Sequence, residues 1–203
     1  MNRQRLTLIA LAAFALAGCM TAAESKEEKG KTPAKAGKVA ASAAIAAKVD
    51  SPAPAFTLKD STGKTHNLAD YKGKYVVLEW INFGCPFVVR HYDSGLMSGT
   101  QKAVAGDDLV WLSINTGGAG KEGAYTGKAL DDQIAKFKWA GTAYLLDNDG
   151  TVGRAYGAKT TPHMYVINPE GVLIYAGAID DSPMGDKITV NYVEAALKAA
   201  RAG

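Results

Sequence analysis

The most constraining feature of the sequence is an apolar run that leads into a cysteine and a proline. Residues 75–81 are Tyr-Val-Val-Leu-Glu-Trp-Ile, a composition typical of a strand covered on both faces. Cys85 then precedes Pro86, and because proline is favoured at the first position of a helix, the pair predicts a helix start at Pro86. Free backbone N–H groups and the helix dipole favour a thiolate there. The sequence therefore predicts a nucleophilic Cys85, with a buried, inert cysteine as the competing interpretation.

Strand and helix patterns alternate along the rest of the chain. Further strands are predicted at 109–114 and 143–146, a helix at about Leu130 to Trp139, a strand pair at 164–167 and 172–176, and a final helix at about 192–202. Upstream, residues 61–64 predict the turn of a small β-hairpin. The pattern predicts an α/β fold, with a central mixed sheet of about five strands flanked by helices and an N-terminal β-hairpin.

The N-terminus has the pattern of an export signal. Arg3 and Arg5 precede an uncharged run from Leu6 to Gly18, which is too short to span a bilayer. Residues 16–19, Leu-Ala-Gly-Cys, resemble the lipobox of bacterial lipoproteins. This resemblance implies a signal peptide at 1–18 and a lipid on Cys19, whereas ordinary secretion is the alternative. We expect a protein exported to the bacterial cell envelope and facing the periplasm, with the outer membrane favoured over the inner.

Residues 19–50 form a second segment with its own composition. They are rich in Ala and Lys and contain no aromatic residue, so the segment cannot bury enough apolar surface to repay the entropy of ordering it. We predict that residues 19–50 are a lipidated, flexible tether and that residues 51–203 form the folded domain.

Charge and cysteine content exclude several classes of protein. The 23 Lys and Arg nearly balance the 20 Asp and Glu, for a net charge of +3, which argues against a nucleic-acid partner. Two cysteines are too few for a multi-cysteine zinc or iron–sulfur domain. We expect no cofactor and no resident metal.

A second motif lies far downstream of Cys85. Thr161, Pro162 and His163 stand immediately before the predicted strand 164–167. With Cys85 and Pro86 this pattern resembles the thioredoxin-like superfamily, and within it the redoxins of the alkyl hydroperoxide reductase and thiol-specific antioxidant family. The resemblance covers about residues 51–203 and is carried by the segments 54–58, 76–92, 153–158, 161–167 and 175–177.

The resemblance implies how the substrate meets the cysteine. A cis-proline loop would dock the substrate backbone beside the sulfur of Cys85, which assigns Thr161, Pro162 and His163, together with Pro86, to substrate binding. For His163, a hydrogen-bonded structural role is the alternative.

Two further side chains are candidate catalytic helpers. The resemblance implies that Glu79, six residues before Cys85, is a buried acid for proton transfer, and burial would suit that role. Its alternative is an outward-pointing carboxylate at a sheet edge. Arg90 is a candidate to stabilise the Cys85 thiolate or negative charge that develops on a peroxide oxygen, and a solvated helix-surface arginine is its alternative.

The chain also departs from the motifs of its relatives. Val88 replaces the second cysteine of a Cys-x-x-Cys motif, so an oxidised Cys85 needs an external thiol or a thioredoxin-like reductase. Asn82 and Leu78 stand where typical peroxiredoxins have a threonine or serine and a proline. The usual hydroxyl group that activates the peroxide is therefore missing.

These observations predict a membrane-tethered, single-cysteine thiol oxidoreductase. Our leading interpretation is a peroxiredoxin-like antioxidant in which Cys85 reduces a hydroperoxide, becomes a sulfenic acid and is restored by an external thiol. One alternative is thiol-disulfide exchange with protein substrates. Others are a non-catalytic module that binds a peptide, or a Cu(I) carrier using Cys85, His163 and Met164.

Overall fold

The computed structural model of the chain describes residues 46–118, 120–182 and 187–203. The predicted signal peptide, Cys19 and all of the predicted tether except residues 46–50 lie outside the described residues. Within the described ranges, no helix has the length and apolar character needed to cross a membrane.

The described chain forms eight strands and five α-helices, with one short 3-10 helix at Leu68–Tyr71. In chain order they are β1 (Ser51–Pro52), β2 (Thr57–Asp60), β3 (Thr65–Asn67), β4 (Tyr75–Trp80), α1 (Pro86–Asp93), α2 (Leu96–Val104), β5 (Leu109–Asn115), α3 (Gly127–Lys136), β6 (Ala143–Leu146), α4 (Thr151–Tyr156), β7 (His163–Ile167), β8 (Val172–Gly177) and α5 (Tyr192–Ala202).

All eight strands belong to one mixed sheet, in the order β1-β8-β7-β4-β5-β6-β2-β3. The central β4 runs parallel to β5 and antiparallel to β7. The prediction of an α/β fold with a mixed sheet is confirmed, but the expected number of about five strands is wrong. The predicted hairpin, β2 and β3, adds to the central sheet because β2 pairs with β6, and the two-residue β1 extends the other edge along β8.

The helix start predicted at Pro86 is confirmed, whereas the helix predicted at about Leu130 to Trp139 needs correction. The helix that begins at Pro86 ends at Asp93, and a second one starts after Gly95, whose φ of 77° is a left-handed conformation that glycine adopts without strain. The helix expected at about Leu130 to Trp139 is α3, Gly127–Lys136. It ends early because Lys138 takes a positive φ of 52°, which cannot continue a right-handed helix.

Strand β4 is buried on both faces, as its composition predicted. Val77 and Ile81 contribute to the apolar cluster that contains residues of α1, α2 and α5. Leu78 and Trp80 contribute to the opposite cluster, beneath α4. Because successive strand residues alternate between faces, Glu79 lies on the same face as α1, the helix that begins next to Cys85.

Candidate active site at Cys85

Cys85 occupies the N-cap of α1, one residue before Pro86 at the first helical position. The turn from β4 into the helix is closed by a hydrogen bond from the Cys85 N–H to the carbonyl of Asn82 at 2.9 Å. The side chain is a free, partly buried thiol. Its Sγ donates to the carbonyl oxygen of Thr161 at 3.2 Å. The predicted position of Cys85 at a strand-to-helix turn is therefore confirmed.

The loop before β7 lies directly against the sulfur. Strand β7 pairs with β4 so that His163 stands opposite Trp80, and this register carries Thr161 to Cys85. The Thr161–Pro162 peptide bond is cis, as the resemblance implied. The structure thus brings together Cys85, Pro86, Thr161 and Pro162, four of the predicted site residues.

The side chain of His163 is held by contacts with Tyr165, two residues further along β7. Its ring packs on Tyr165, with centroids 4.6 Å apart. The Tyr165 hydroxyl donates its proton to the Tyr156 carbonyl at 3.0 Å, so it accepts from Nδ1–H of His163 at 3.0 Å. Burial, with a smaller effect of Lys159, lowers the pKa of His163. His163 is thus a neutral, hydrogen-bonded ring without a hydrogen bond to Cys85.

Glu79 is fully buried and accepts hydrogen bonds from four side chains. The Trp111 indole donates at 2.8 Å, the Ser113 hydroxyl at 2.7 Å, the Gln101 amide at 3.2 Å and the Tyr92 hydroxyl at 2.9 Å. Burial raises the pKa of Glu79, and these four hydrogen bonds partly oppose the rise. The sheet-edge alternative for Glu79 is wrong, because its side chain has no exposed surface.

The orientation of these donors is fixed by a further layer of contacts. Gln101 accepts from the Ala140 N–H through Oε1, which turns its NH₂ group toward Glu79. The Ser113 hydroxyl accepts from the Trp139 indole at 2.9 Å, which leaves its own proton for the carboxylate. The network is therefore complementary to an ionised Glu79, while the apolar surroundings favour the protonated form.

Arg90 makes its hydrogen bonds with groups other than the thiol. Its Nη2 donates to the carbonyl of Ser182 at 3.3 Å and lies 3.2 Å from Nε2 of His91. His91 in turn contacts Asp180 at 3.0 Å. The guanidinium therefore belongs to the junction between α1 and the segment after β8, and the structure gives it no hydrogen bond to Cys85.

Asn82 holds the turn that precedes Cys85. Its Oδ1 accepts from the Gly84 N–H at 2.7 Å, and its Nδ2 donates to the Glu122 carbonyl at 3.2 Å. Asn115, at the end of the neighbouring β5, donates to the carbonyls of Ile81 and Gly123. Sequence reasoning missed this pair, although an asparagine at or just after the end of each parallel strand was a visible signal.

An open cleft of about 450 Å³ adjoins the site. Phe87, Ile179, Tyr192 and the segment 160–162 are among its lining residues. Thr161 both lines this cleft and bonds to Cys85, so one residue connects the cleft to the sulfur. Sequence reasoning did not find it, since its walls come from α1, α5 and two loops distant in sequence.

The copper alternative gains no support from the geometry. Within the residues described, there is no group of three or more His, Cys, Asp or Glu side chains placed to hold a metal ion. Met164 is fully buried in the cluster against which Cys85 packs, whereas His163, its neighbour along β7, packs against Tyr165 in the opposite cluster.

Solved structures share this architecture. The thioredoxin domain of a thiol-disulfide oxidoreductase from Bacteroides vulgatus matches with a TM-score of 0.56 and 20% identity, over 75% of this chain and 98% of that one. A hypothetical protein from Sinorhizobium meliloti matches with a TM-score of 0.65 and 27% identity, over 75% and 84% of the two chains. The fold is therefore thioredoxin-like.

Sequence comparison gives the family. The AhpC/TSA family model matches residues 49–176, and the chain belongs to this family. A curated relative is the thiol-disulfide oxidoreductase ResA of Bacillus subtilis, which is 28% identical over 138 residues, covering 67% of this chain and 72% of the relative.

Proposed function

We propose that the protein is a thiol-disulfide oxidoreductase in which Cys85 attacks a substrate disulfide and an external thiol completes the cycle. The observation that carries the proposal is the contact between the Cys85 sulfur and the carbonyl of Thr161, at 3.2 Å, in the loop of Pro162. A disulfide held along this loop would meet the sulfur at the N-terminus of α1, where a thiolate is stabilised. The activity named for the ResA relative agrees with this chemistry.

The proposed reaction has two exchanges. The Cys85 thiolate attacks one sulfur of the substrate, the substrate disulfide breaks, and the released sulfur leaves as a thiolate that takes up a proton. Val88, which occupies the position of a resolving cysteine, is fully buried and has no thiol. A thiol from a small molecule or from a thioredoxin-like reductase therefore attacks the mixed disulfide and returns Cys85 to its reduced form.

Other residues take supporting roles in this proposal. Thr161, Pro162 and Pro86 shape the surface on which the substrate lies. Glu79 remains the proposed proton acceptor, and its raised pKa suits a group that takes and returns a proton. Its hydrogen bonds go to Tyr92, Gln101, Trp111 and Ser113 and not to Cys85, so the proposed transfer is indirect.

Hydroperoxide reduction is the second candidate, favoured by the lack of a second thiol in the motif. A sulfenic acid on Cys85 needs only external thiols for its reduction. Two contacts count against this candidate. Asn82, at the position of the activating hydroxyl, uses both ends of its amide on the backbone of Gly84 and Glu122. Nη2 of Arg90 donates to the Ser182 carbonyl and lies beside His91.

One experiment separates the two reactions. Cys19→Ser leaves Cys85 as the sole thiol of the full chain. This protein is treated with a cystine-containing peptide, or with hydrogen peroxide and dimedone, and the adducts are identified by mass spectrometry. We expect a mixed disulfide on Cys85 that added thiol releases, and no adduct after Cys85→Ser. Rapid dimedone labelling with little mixed disulfide would overturn exchange in favour of peroxide reduction.

We also propose that Cys19 carries the lipid that anchors the protein to the membrane. The support is the lipobox-like sequence at residues 16–19. Labelled palmitate fed to expressing bacteria should appear on the protein, and Cys19→Ser should abolish the label and move the protein to the soluble fraction. A membrane-bound Cys19→Ser protein would contradict the proposal.

A further inference from the structure

Exposed apolar surface is concentrated on one part of the described chain. Of its five exposed large hydrophobic residues, only Val49 lies away from α1 and the segment 188–192. The others are Phe87, Ile188, Val190 and Tyr192. Phe87, two residues after Cys85, is half exposed, and with Tyr192 it lines the cleft described above. Clustered apolar exposure of this kind marks an interaction surface.

The cleft has room for a large side chain and is connected to Cys85 through Thr161. Ile179, almost fully buried, lines it between Phe87 of α1 and Tyr192 of α5. Its volume of about 450 Å³ lies in the range of small-ligand clefts. Thr161 forms the end nearest Cys85. A side chain seated here therefore belongs to a residue close to the reacting cysteine of the substrate.

Two carboxylates line the cleft, Asp180 and Asp181. Asp180 pairs with His91 at 3.0 Å, and both are buried. Within the part of the chain that the structure describes, Asp181 accepts from the Thr189 hydroxyl and from the N–H groups of Thr189 and Val190. These hydrogen bonds lower the pKa of Asp181 to about 2, and among the described residues it has no salt bridge. Asp181 thus places a negative charge at the rim at neutral pH.

We propose that this cleft selects polypeptide disulfides whose reacting cysteine is flanked by a large apolar residue and a basic residue. The inference rests on the proposed function and specifies its substrate. Phe87 and Tyr192 bind the apolar side chain, and Asp181 attracts the basic one. Glutathione disulfide has no large apolar side chain and carries excess negative charge, so both features of the cleft disfavour it.

The test uses matched probes with one leaving group. Short peptides carry a single cysteine, flanked by Phe and Lys, by Ser and Lys, or by Phe and Glu, and each cysteine is linked by a disulfide to thionitrobenzoate. Glutathione with the same leaving group is the fourth probe. Cys85 attacks the peptide sulfur, and thionitrobenzoate leaves as a coloured anion. Rates with the Cys19→Ser chain are divided by rates with mercaptoethanol, which removes differences in intrinsic reactivity.

We expect the Phe and Lys peptide to react about tenfold faster than the Ser and Lys peptide, because a filled apolar cleft gives discrimination of this size. We expect it to react severalfold faster than the Phe and Glu peptide, by a ratio that falls as salt is added. Phe87→Ser should reduce the first ratio and Asp181→Asn the second. Val49→Ser, at an exposed apolar residue outside the cleft, is the matched control and should change neither.

The outcomes separate this inference from the function on which it rests. Normalised rates within twofold of one another, or glutathione as the fastest probe, would overturn the inference while exchange by Cys85 stands. An unchanged Phe preference after Phe87→Ser would overturn it as well. If no probe reacts with Cys85, the proposed function fails and the inference falls with it.

Discussion

Two carboxylates of this domain are fully buried, and the protein holds them in different ways. Glu79, in the middle of β4, accepts hydrogen bonds only from side chains, which come from α1, α2 and β5. Asp147, just after β6, accepts from the backbone N–H groups of Val152 and Gly153 and from the Thr116 hydroxyl. Among the described residues, neither carboxylate has a salt bridge.

The two carboxylates differ in how far their donors lie from them along the chain. The backbone donors to Asp147 lie five and six residues away, so a short segment builds its own support for α4. The donors to Glu79 lie 13 to 34 residues away and meet only when α1, α2 and the sheet have packed. A buried carboxylate without a cation is costly. Burial raises the pKa of Glu79, and Glu79 lies on the face of the sheet that α1 covers, so it is the better candidate for a functional role.

The largest effect on stability is expected when the Glu79 carboxylate is removed. Glu79→Ala leaves four buried donors without an acceptor, at about 1–3 kcal/mol each, and opens a cavity. We expect the free energy of unfolding to fall by about 4 kcal/mol or more, measured by urea denaturation. A fall of less than about 2 kcal/mol would show that the network contributes little.

The next largest effect is expected for Gly123→Ala, which tests the long-range contacts around the turn before Cys85. Gly123 has a φ of 74°, and a Cβ atom there would lie 1.6 Å from Oδ1 of Asn82. We expect Gly123→Ala to cost about 3 kcal/mol and to slow the reaction of Cys85 with disulfides. Gly120→Ala is the matched control, because its φ is 80° with open space around the added atom. It should cost only the conformational strain of about 1–2 kcal/mol.

A smaller effect is expected at the local carboxylate. Asp147→Ala removes the acceptor of two backbone N–H groups and one hydroxyl, and we expect a loss of about 2 kcal/mol in the free energy of unfolding. Exchange by Cys85 should stay near the wild-type rate, since α4 lies on the other face of the sheet. If Asp147→Ala destabilised the protein as much as Glu79→Ala or more, the distinction between the two carboxylates would be wrong.

The last expected effect concerns pH. Because the pKa of Glu79 is raised in the folded state, the unfolded chain loses this proton first as pH rises. Stability therefore falls between the ordinary pKa of a glutamate and the raised value, by at most about 1.4 kcal/mol per pH unit. Glu79→Gln should remove this contribution, so the difference between the two proteins, from urea denaturation at several pH values, should depend on pH. A constant difference would contradict a raised pKa.

Part of this picture was visible in the sequence. The apolar run ending near Ile81 predicted a buried central strand, and Pro86 predicted the helix start that places Cys85 at its cap. The C-terminal strand pair and helix were also correctly located. These features depend on side-chain periodicity and on the fixed φ of proline, which act within a few residues.

The tertiary structure decided which side chains meet. The sequence left Glu79 between a buried position and a sheet edge, and only the packing of α1 and α2 on β4 settled that question. The tertiary structure also directs Arg90 toward Ser182, 92 residues away. It joins the predicted hairpin to the sheet through the pairing of β2 with β6. The cleft beside Cys85 likewise combines Phe87 with Tyr192. Such contacts join residues far apart in the chain, and local periodicity carries no information about them.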